Sequence, residues 1–215
     1  MATRLVAVCS APHSTSLDVN VDFMREVDMS IAVAVEALRR GDIVGVPTDT
    51  LYGLAADPFR QDALDAIFEL KGRPEHKPLA ILVGSVEQGM TLASFSDRAL
   101  ELAEQHWPGA LTLVVPRLDT APDWLGHRGR RTVGLRCPDH PVALELLDAS
   151  GPLAVTSANL SGHEAVVDDE EAQALFGDAV AVYLDGRAVG GQASTIIDLT
   201  EPAPLTLRQG PIPGA

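Results

Sequence analysis

The chain has 215 residues, 30 of them acidic and 16 basic, giving a net charge of −14 and a hydrophobic fraction of 46%. That balance argues against tight, sequence-independent gripping of a nucleic-acid backbone, which calls for the opposite sign. No apolar run is long enough to span a bilayer, and the opening stretch MATRLVAVCSAPHSTS has one arginine and too short an apolar core for a signal peptide. Cys9 and Cys137 have neither metal nor redox spacing, so the expectation is a soluble protein of the reducing cytoplasm, away from membranes.

Residues 1–27 show no sustained period and are expected to form an extension, with one strand at Leu5–Val8. Ile31, Ala34, Val35 and Leu38 mark one face of a helix, with Ser30 or Asp28 as its cap and Gly41 as its terminator. A strand over Ile43–Val46 runs into a loop, Pro47-Thr48-Asp49-Thr50, backed by Tyr52 and Gly53. Leu64, Ile67 and Phe68 give the apolar face of the next helix, which ends in Lys71-Gly72-Arg73-Pro74, with Lys77 close behind. Leu79–Val83 is continuously apolar and reads as a central strand. A helix over Asp97–His106 is stopped by Trp107-Pro108-Gly109, and Leu111–Val115 is a further strand. The longest polar loop, Arg117–Arg131, leads to strand Thr132–Arg136 and to a helix opened by Asp139. Strand Leu153–Thr156 runs into Ser157-Ala158-Asn159-Leu160-Ser161-Gly162. The acidic run Asp168–Glu171 reads as an N-cap and first helical turn. Strands at Val180–Leu184 and Thr195–Leu199 flank a glycine-rich loop, and a last strand covers Leu205–Arg208. Some strands are separated by helices and others by loops alone. The expected fold is therefore one α/β domain over residues 28–211, with a tail at 212–215. Its sheet should be twisted, open and mixed parallel/antiparallel, with helices on its faces.

There is no GxxxxGK[ST] loop, no GxGxxG after a strand and no GxSxG, and the six histidines are scattered without ligand spacing. Lys71 and Arg73 at a helix end have an ordinary reading as complements to the helix dipole, and Ser157 and Asn159 as turn residues. Their co-occurrence points further. Polar or cationic groups end several separate strands: Thr48 and Thr50, Arg136, Ser157 and Asn159, Ser194, Arg208. Ligand sites of open α/β sheets gather at strand ends. Hydroxyls beside fixed cations suit a small anionic, hydrogen-bonding ligand such as a nucleotide.

In order along the chain, PTDTLYGLAAD, KGRPEHKPLAILV, WPGALTLVV, GLRCPDHPVA, TSANLSG and STIIDLT…LRQG closely resemble the YrdC/TsaC L-threonylcarbamoyladenylate synthases in their short bacterial form. The resemblance implies that L-threonine, bicarbonate and ATP give L-threonylcarbamoyladenylate, pyrophosphate and water, usually with Mg2+, for threonylcarbamoyl-adenosine modification of tRNA. The product would pass to a partner transferase complex that modifies the tRNA. It implies catalytic roles for Lys71 and Arg73, the family's KxR signature, with Ser157 and Asn159 as its SxN signature. It implies a threonine pocket of Thr50, Arg136, the Val155 backbone and Ser194, and nucleotide contacts from Arg73, Lys77, Thr132, Ser157, Asn159, Ala165 and Arg208. Where many relatives carry a histidine, this chain has Leu82, and no contact is carried over there. The alternative is an RNA-binding or ribosome-assembly module on the same fold, against which the −14 charge argues.

Overall fold

Two-residue alternation along the strands sends successive side chains to two separate cores. In β6 (Leu153–Ser157), Ala154 joins one core, while Leu153 and Val155 join the other. β2 (Gly53–Ala56) and β3 (Ala80–Leu82) split in the same way, with Leu54, Ala56 and Ile81 on one side and Ala55 and Leu82 on the other. The structure, a computed structural model, describes residues 29–74 and 77–214.

The remaining strands are β1 (Val44–Val46), β4 (Leu111–Pro116), β5 (Thr132–Arg136), β7 (Val182–Tyr183), β8 (Thr195–Asp198) and β9 (Leu205–Arg208). They form one nine-stranded sheet in the order β7-β1-β2-β6-β3-β5-β4-β8-β9. The β1–β7, β3–β5 and β4–β8 pairs are parallel and the rest antiparallel, which is the mixed sheet the sequence predicts. The apolar β3 lies fifth of nine, as its composition requires.

The helices are α1 (residues 29–40), α2 (Gln61–Lys71), α3 (Val86–Met90), α4 (Asp97–His106), α5 (Pro141–Ser150) and α6 (Asp169–Phe176). α2, α4 and α6 cover one face of the sheet through Ala63, Leu64, Ile67, Ala99, Leu102, Ala172 and Phe176. On the other face, α1 and α5 pack Ile31, Ala34, Val35, Leu38, Ala143, Leu146 and Leu147 onto β7, β1, β2, β6 and β3. Beyond β3 that second cover stops. Gly134 of β5, Val114 of β4 and Ile196 of β8 share this uncovered face and are half-buried, while their sequence neighbours Leu113, Val115, Val133, Leu135 and Ile197 are buried. An open hollow over β5, β4 and β8 results.

Several local expectations are corrected. Gly53–Ala56, read as loop, is a fully buried strand. A Cβ on Gly53 would stand 2.8 Å from Val155 Cγ1, so only small residues fit between the two helical layers, and small residues carry little strand signal. α3, absent from the sequence reading, is a five-residue helix capped by Ser85. α5 is opened by His140 with Pro141 at its first position rather than by Asp139. Ser30 lies inside α1, while Asp28 and the expected strand at Leu5–Val8 fall outside the described residues. Gly41 does end α1, at φ 93°. α6 opens as predicted, with the Asp168 side chain accepting from the Glu171 N–H. Among the described residues, no helix is long and apolar enough to cross a membrane.

Candidate active site

Where α5 stops covering the sheet, a cleft of about 190 Å³ opens. Its walls include Thr48, Thr50, Arg73, Arg136, Val155, Ser157, Ser194 and Arg208. Groups at the ends of β1, β5, β6, β8 and β9, up to 160 positions apart in the chain, therefore meet in one place. A separate hollow of about 310 Å³ lies on the opposite face of β3, between Leu64 and Phe68 of α2 and Trp124–Gly129, and contains none of the predicted site residues.

Arg136 is buried at the end of β5 and is held on three sides. Its Nε donates to Gly109 O at 3.0 Å, Nη1 to Thr50 Oγ1 at 2.7 Å and Nη2 to Asp49 Oδ1 at 2.5 Å. Asp49 also accepts from the Asp139 N–H at 3.1 Å, which ties the loop after β1 to the loop after β5. A guanidinium has five N–H bonds. Two therefore remain on Arg136, one on each terminal nitrogen, which is the spacing a carboxylate takes in a bidentate pair.

Thr48 donates to Leu51 O at 2.7 Å, and its oxygen lies 3.0 Å from Thr50 Oγ1. Because the single Thr48 proton is committed to Leu51, Thr50 is the donor in that pair. With Arg136 filling one lone pair, Thr50 shows the cleft only an acceptor, which fits an ammonium group. Ser194 lies opposite, 2.8 Å from Thr112 Oγ1, and Arg208 donates to both Ser194 O (2.9 Å) and Ser194 Oγ (3.1 Å).

The KxR signature divides into two different parts. Gly72, at φ 60°, caps α2 through its N–H to Glu69 O, with the Arg73 N–H reaching Phe68 O, so the last carbonyls need no lysine. Lys71 is buried and turned away from its own helix end. Its ammonium donates to Ser157 O, to Asn159 O at 2.5 Å and to Asn159 Oδ1 at 3.0 Å, which uses all three N–H bonds on the segment after β6. Asn159 is held in turn by Ser157 Oγ at 2.6 Å and by its own amide donating to Leu160 O and His163 O. Lys71 thus lies behind the cleft and sets the shape of the Ser157–Asn159 wall. Burial, with Arg73 next, pushes its pKa down to about 8.

Arg73 does line the cleft, with Nε donating to Lys77 O at 2.9 Å and Nη2 to Pro78 O at 3.0 Å. Burial lowers the pKa of Arg73, with the Arg208 charge adding to it, and Arg136 is lowered chiefly by burial with Arg208 again contributing. Three guanidiniums therefore line one cavity, with Arg208 close enough to Arg73 and to Arg136 to repel both, which a bound anion relieves.

The other predicted residues stand further off. Lys77 is exposed on the loop before β3. Thr132 is buried on the same face as Arg136 but at the far end of β5. Ala165 is half-buried, next to Val166, whose N–H bonds to Ala158 O. Leu82 lines the cleft as part of the second core. Thr112, which also lines the cleft, was not singled out from the sequence. Its one signal was a hydroxyl inside the otherwise apolar run Leu111-Thr112-Leu113-Val114-Val115. Among the described residues, no group of three or more His, Cys, Asp or Glu side chains is placed to hold a metal ion.

The Sua5/YciO/YrdC family profile, described as "Telomere recombination", matches residues 36–210. A Mycobacterium tuberculosis (strain H37Rv) protein with the provisional name threonylcarbamoyl-AMP synthase is 48% identical over 185 residues, 85% of this chain and 84% of its own. The threonylcarbamoyl-AMP synthase of Bacillus subtilis (strain 168) is 39% identical over 191 residues, but this chain spans only 54% of its length. Among solved structures, Pyrococcus abyssi Sua5 complexed with L-threonine superposes with a TM-score of 0.81 at 39% identity, covering 85% of this chain and 54% of that one. Escherichia coli YciO superposes with a TM-score of 0.79 at 28% identity, covering 89% and 91%. The chain belongs to the Sua5/YciO/YrdC family.

Proposed function

We propose that this chain is an L-threonylcarbamoyladenylate synthase, joining L-threonine, bicarbonate and ATP with release of pyrophosphate and water. The observation that carries this reading is the convergence of Arg73, Arg136 and Arg208 on one small cleft that also offers a lone acceptor at Thr50 and hydroxyls at Ser194 and Thr112. The reaction brings three anions together: the amino-acid carboxylate, the carbamate formed when the threonine amine adds to bicarbonate or its carbon dioxide, and the ATP phosphates.

Arg136 takes the carboxylate in a bidentate pair, and Thr50 accepts from the neighbouring amine. Arg73 and Arg208 face the carbamate and the α-phosphate. As a carbamate oxygen attacks phosphorus and the bond to pyrophosphate breaks, charge on the α-phosphate meets donors already in place. The cleft is small beside the roughly 300–1,000 Å³ usual for ligand pockets. It fits the amino acid and carbamate, with the nucleotide extending over the open face of β5, β4 and β8. The cleft's groups are hydroxyls and guanidiniums, and Asp49 is committed to Arg136, a donor set that does not fit a protein-held Mg2+. In this reading, magnesium enters with the triphosphate as part of the substrate. The unstable product then goes to a tRNA-modifying transferase, which suits an acidic protein that hands on a small molecule. Omitting threonine, bicarbonate or ATP in turn tests the reading. The adduct should appear by mass spectrometry only in the complete mixture, and pyrophosphate release unaffected by threonine would refute it.

Arg208→Ala should raise KM for ATP by about 10- to 100-fold, the worth of a charge-assisted hydrogen bond. KM for threonine should rise with it, since Arg208 also holds Ser194. Steady-state kinetics with both substrates varied checks this, and an unaltered KM for ATP would contradict the assigned contact.

The lowered Lys71 pKa sets an alkaline limit. Above about pH 8 the ammonium loses its proton and one of its contacts to the Ser157–Asn159 wall, so activity should fall as pH rises through that value. Stability should change in the other direction. The folded state releases this proton before the unfolded chain does, so this group's contribution to stability rises between about 8 and 10.5. An alkaline loss of activity without a fall in melting temperature is the expected pair of results.

A further inference from the structure

Resting on the reading above, we infer that Thr112, paired with Ser194, reads the substrate's side-chain hydroxyl and sets the preference for threonine over isosteres lacking it. Thr112 and Ser194 both line the cleft, both are 3% exposed, and their oxygens are 2.8 Å apart. Arg208 Nη2 fills one lone pair of Ser194 at 3.1 Å. If Thr112 donates to Ser194, the Ser194 proton is left over, along with both lone pairs of Thr112. If Ser194 donates instead, the Thr112 proton is left over, with one lone pair on each oxygen. Either way the pair shows the cleft one O–H donor and two acceptors. Only a group that both donates and accepts satisfies that pattern, and an alcohol does so.

Thr50 cannot share this task, because its proton is committed to Thr48 and it shows only an acceptor. The orientation of Thr112 is fixed from behind. A Cβ on Gly134 would lie 3.3 Å from Thr112 Cγ2, so the methyl is seated against β5. With the methyl there, the hydroxyl is turned toward Ser194. A methyl group from valine, or the hydrogen of 2-aminobutyrate, would leave a buried donor and its acceptors unpaired, and such a site rejects the analogue strongly.

The experiment compares L-threonine, L-valine and L-2-aminobutyrate in wild type, Thr112→Val and Thr112→Ser. Wild type should prefer threonine to both analogues by at least about 100-fold in kcat/KM. Thr112→Val should reduce kcat/KM for threonine by about 10- to 100-fold, mostly through KM because the hydroxyl is not a reacting group, and should leave 2-aminobutyrate within about threefold. Thr112→Ser keeps the hydroxyl and should keep the preference. A Thr112→Val enzyme that retains the wild-type ratio overturns the inference, as does one that loses both substrates equally. Calorimetric titration of the same amino acids needs no turnover, so absence of any adenylate would count against the proposed reaction alone. Equal wild-type affinity for threonine and 2-aminobutyrate would overturn the role of Thr112.

Discussion

Lys71→Ala should reduce adenylate formation by about 10²–10³-fold and also destabilise the fold by about 1–3 kcal/mol. Both effects have one cause. The ammonium is the shared donor for Ser157 O, Asn159 O and Asn159 Oδ1, and its removal leaves buried acceptors unpaired while releasing the wall that Ser157 presents to substrate. A helix-capping lysine would instead cost about 0.3–1 kcal/mol and leave chemistry alone. Because Gly72 already caps α2, that smaller role is taken. Denaturant titration beside product assays checks the pair of effects. Full activity in a variant destabilised by a few tenths of a kcal/mol would return Lys71 to the dipole-complementing role.

Arg73→Lys should keep its melting temperature within a few degrees yet lose about 10²–10³-fold in adenylate formation. Arg73 lines the cleft and uses two of its five donors to hold the Lys77 and Pro78 carbonyls, which leaves three for a ligand. Lysine has three donors on one atom and cannot span the loop and the substrate together. The loss should therefore appear in kcat as well as KM, because the fork stabilises charge that grows during phosphoryl transfer. A folded Arg73→Lys enzyme with wild-type kcat would show that only the charge matters.

Much of this site was legible in the chain because it is built at strand ends. Arg136, Ser157 and Arg208 each stand where a strand stops and Ser194 where one starts, and polar residues at the ends of several strands imply one crevice whatever the strand order. What the sequence hid were partnerships across the sheet. Nothing local links Asp49 to Arg136, 87 positions away, or Thr112 to Ser194, 82 positions away, since the first depends on the strand order β1-β2-β6-β3-β5 and the second on the β4–β8 pairing. Lys71 was misleading in a different way. Its place at a helix terminus suggests a partner among its own carbonyls, while burial turns it toward a loop 86 positions on. β2 was missed because the space between two helical layers selects Gly and Ala, whose small side chains give neither alternation nor strand preference.

If one cleft holds threonine, its carbamate and the ATP α-phosphate together, carbon from bicarbonate ends between the amine and the nucleotide. Incubating the protein with ATP, L-threonine and 13C-bicarbonate, then weighing the adenylate, tests this most directly. The predicted product carries one 13C and one threonine per AMP, with one pyrophosphate released for each. An unlabelled threonyl adenylate, or ATP consumed to ADP and phosphate, would contradict it.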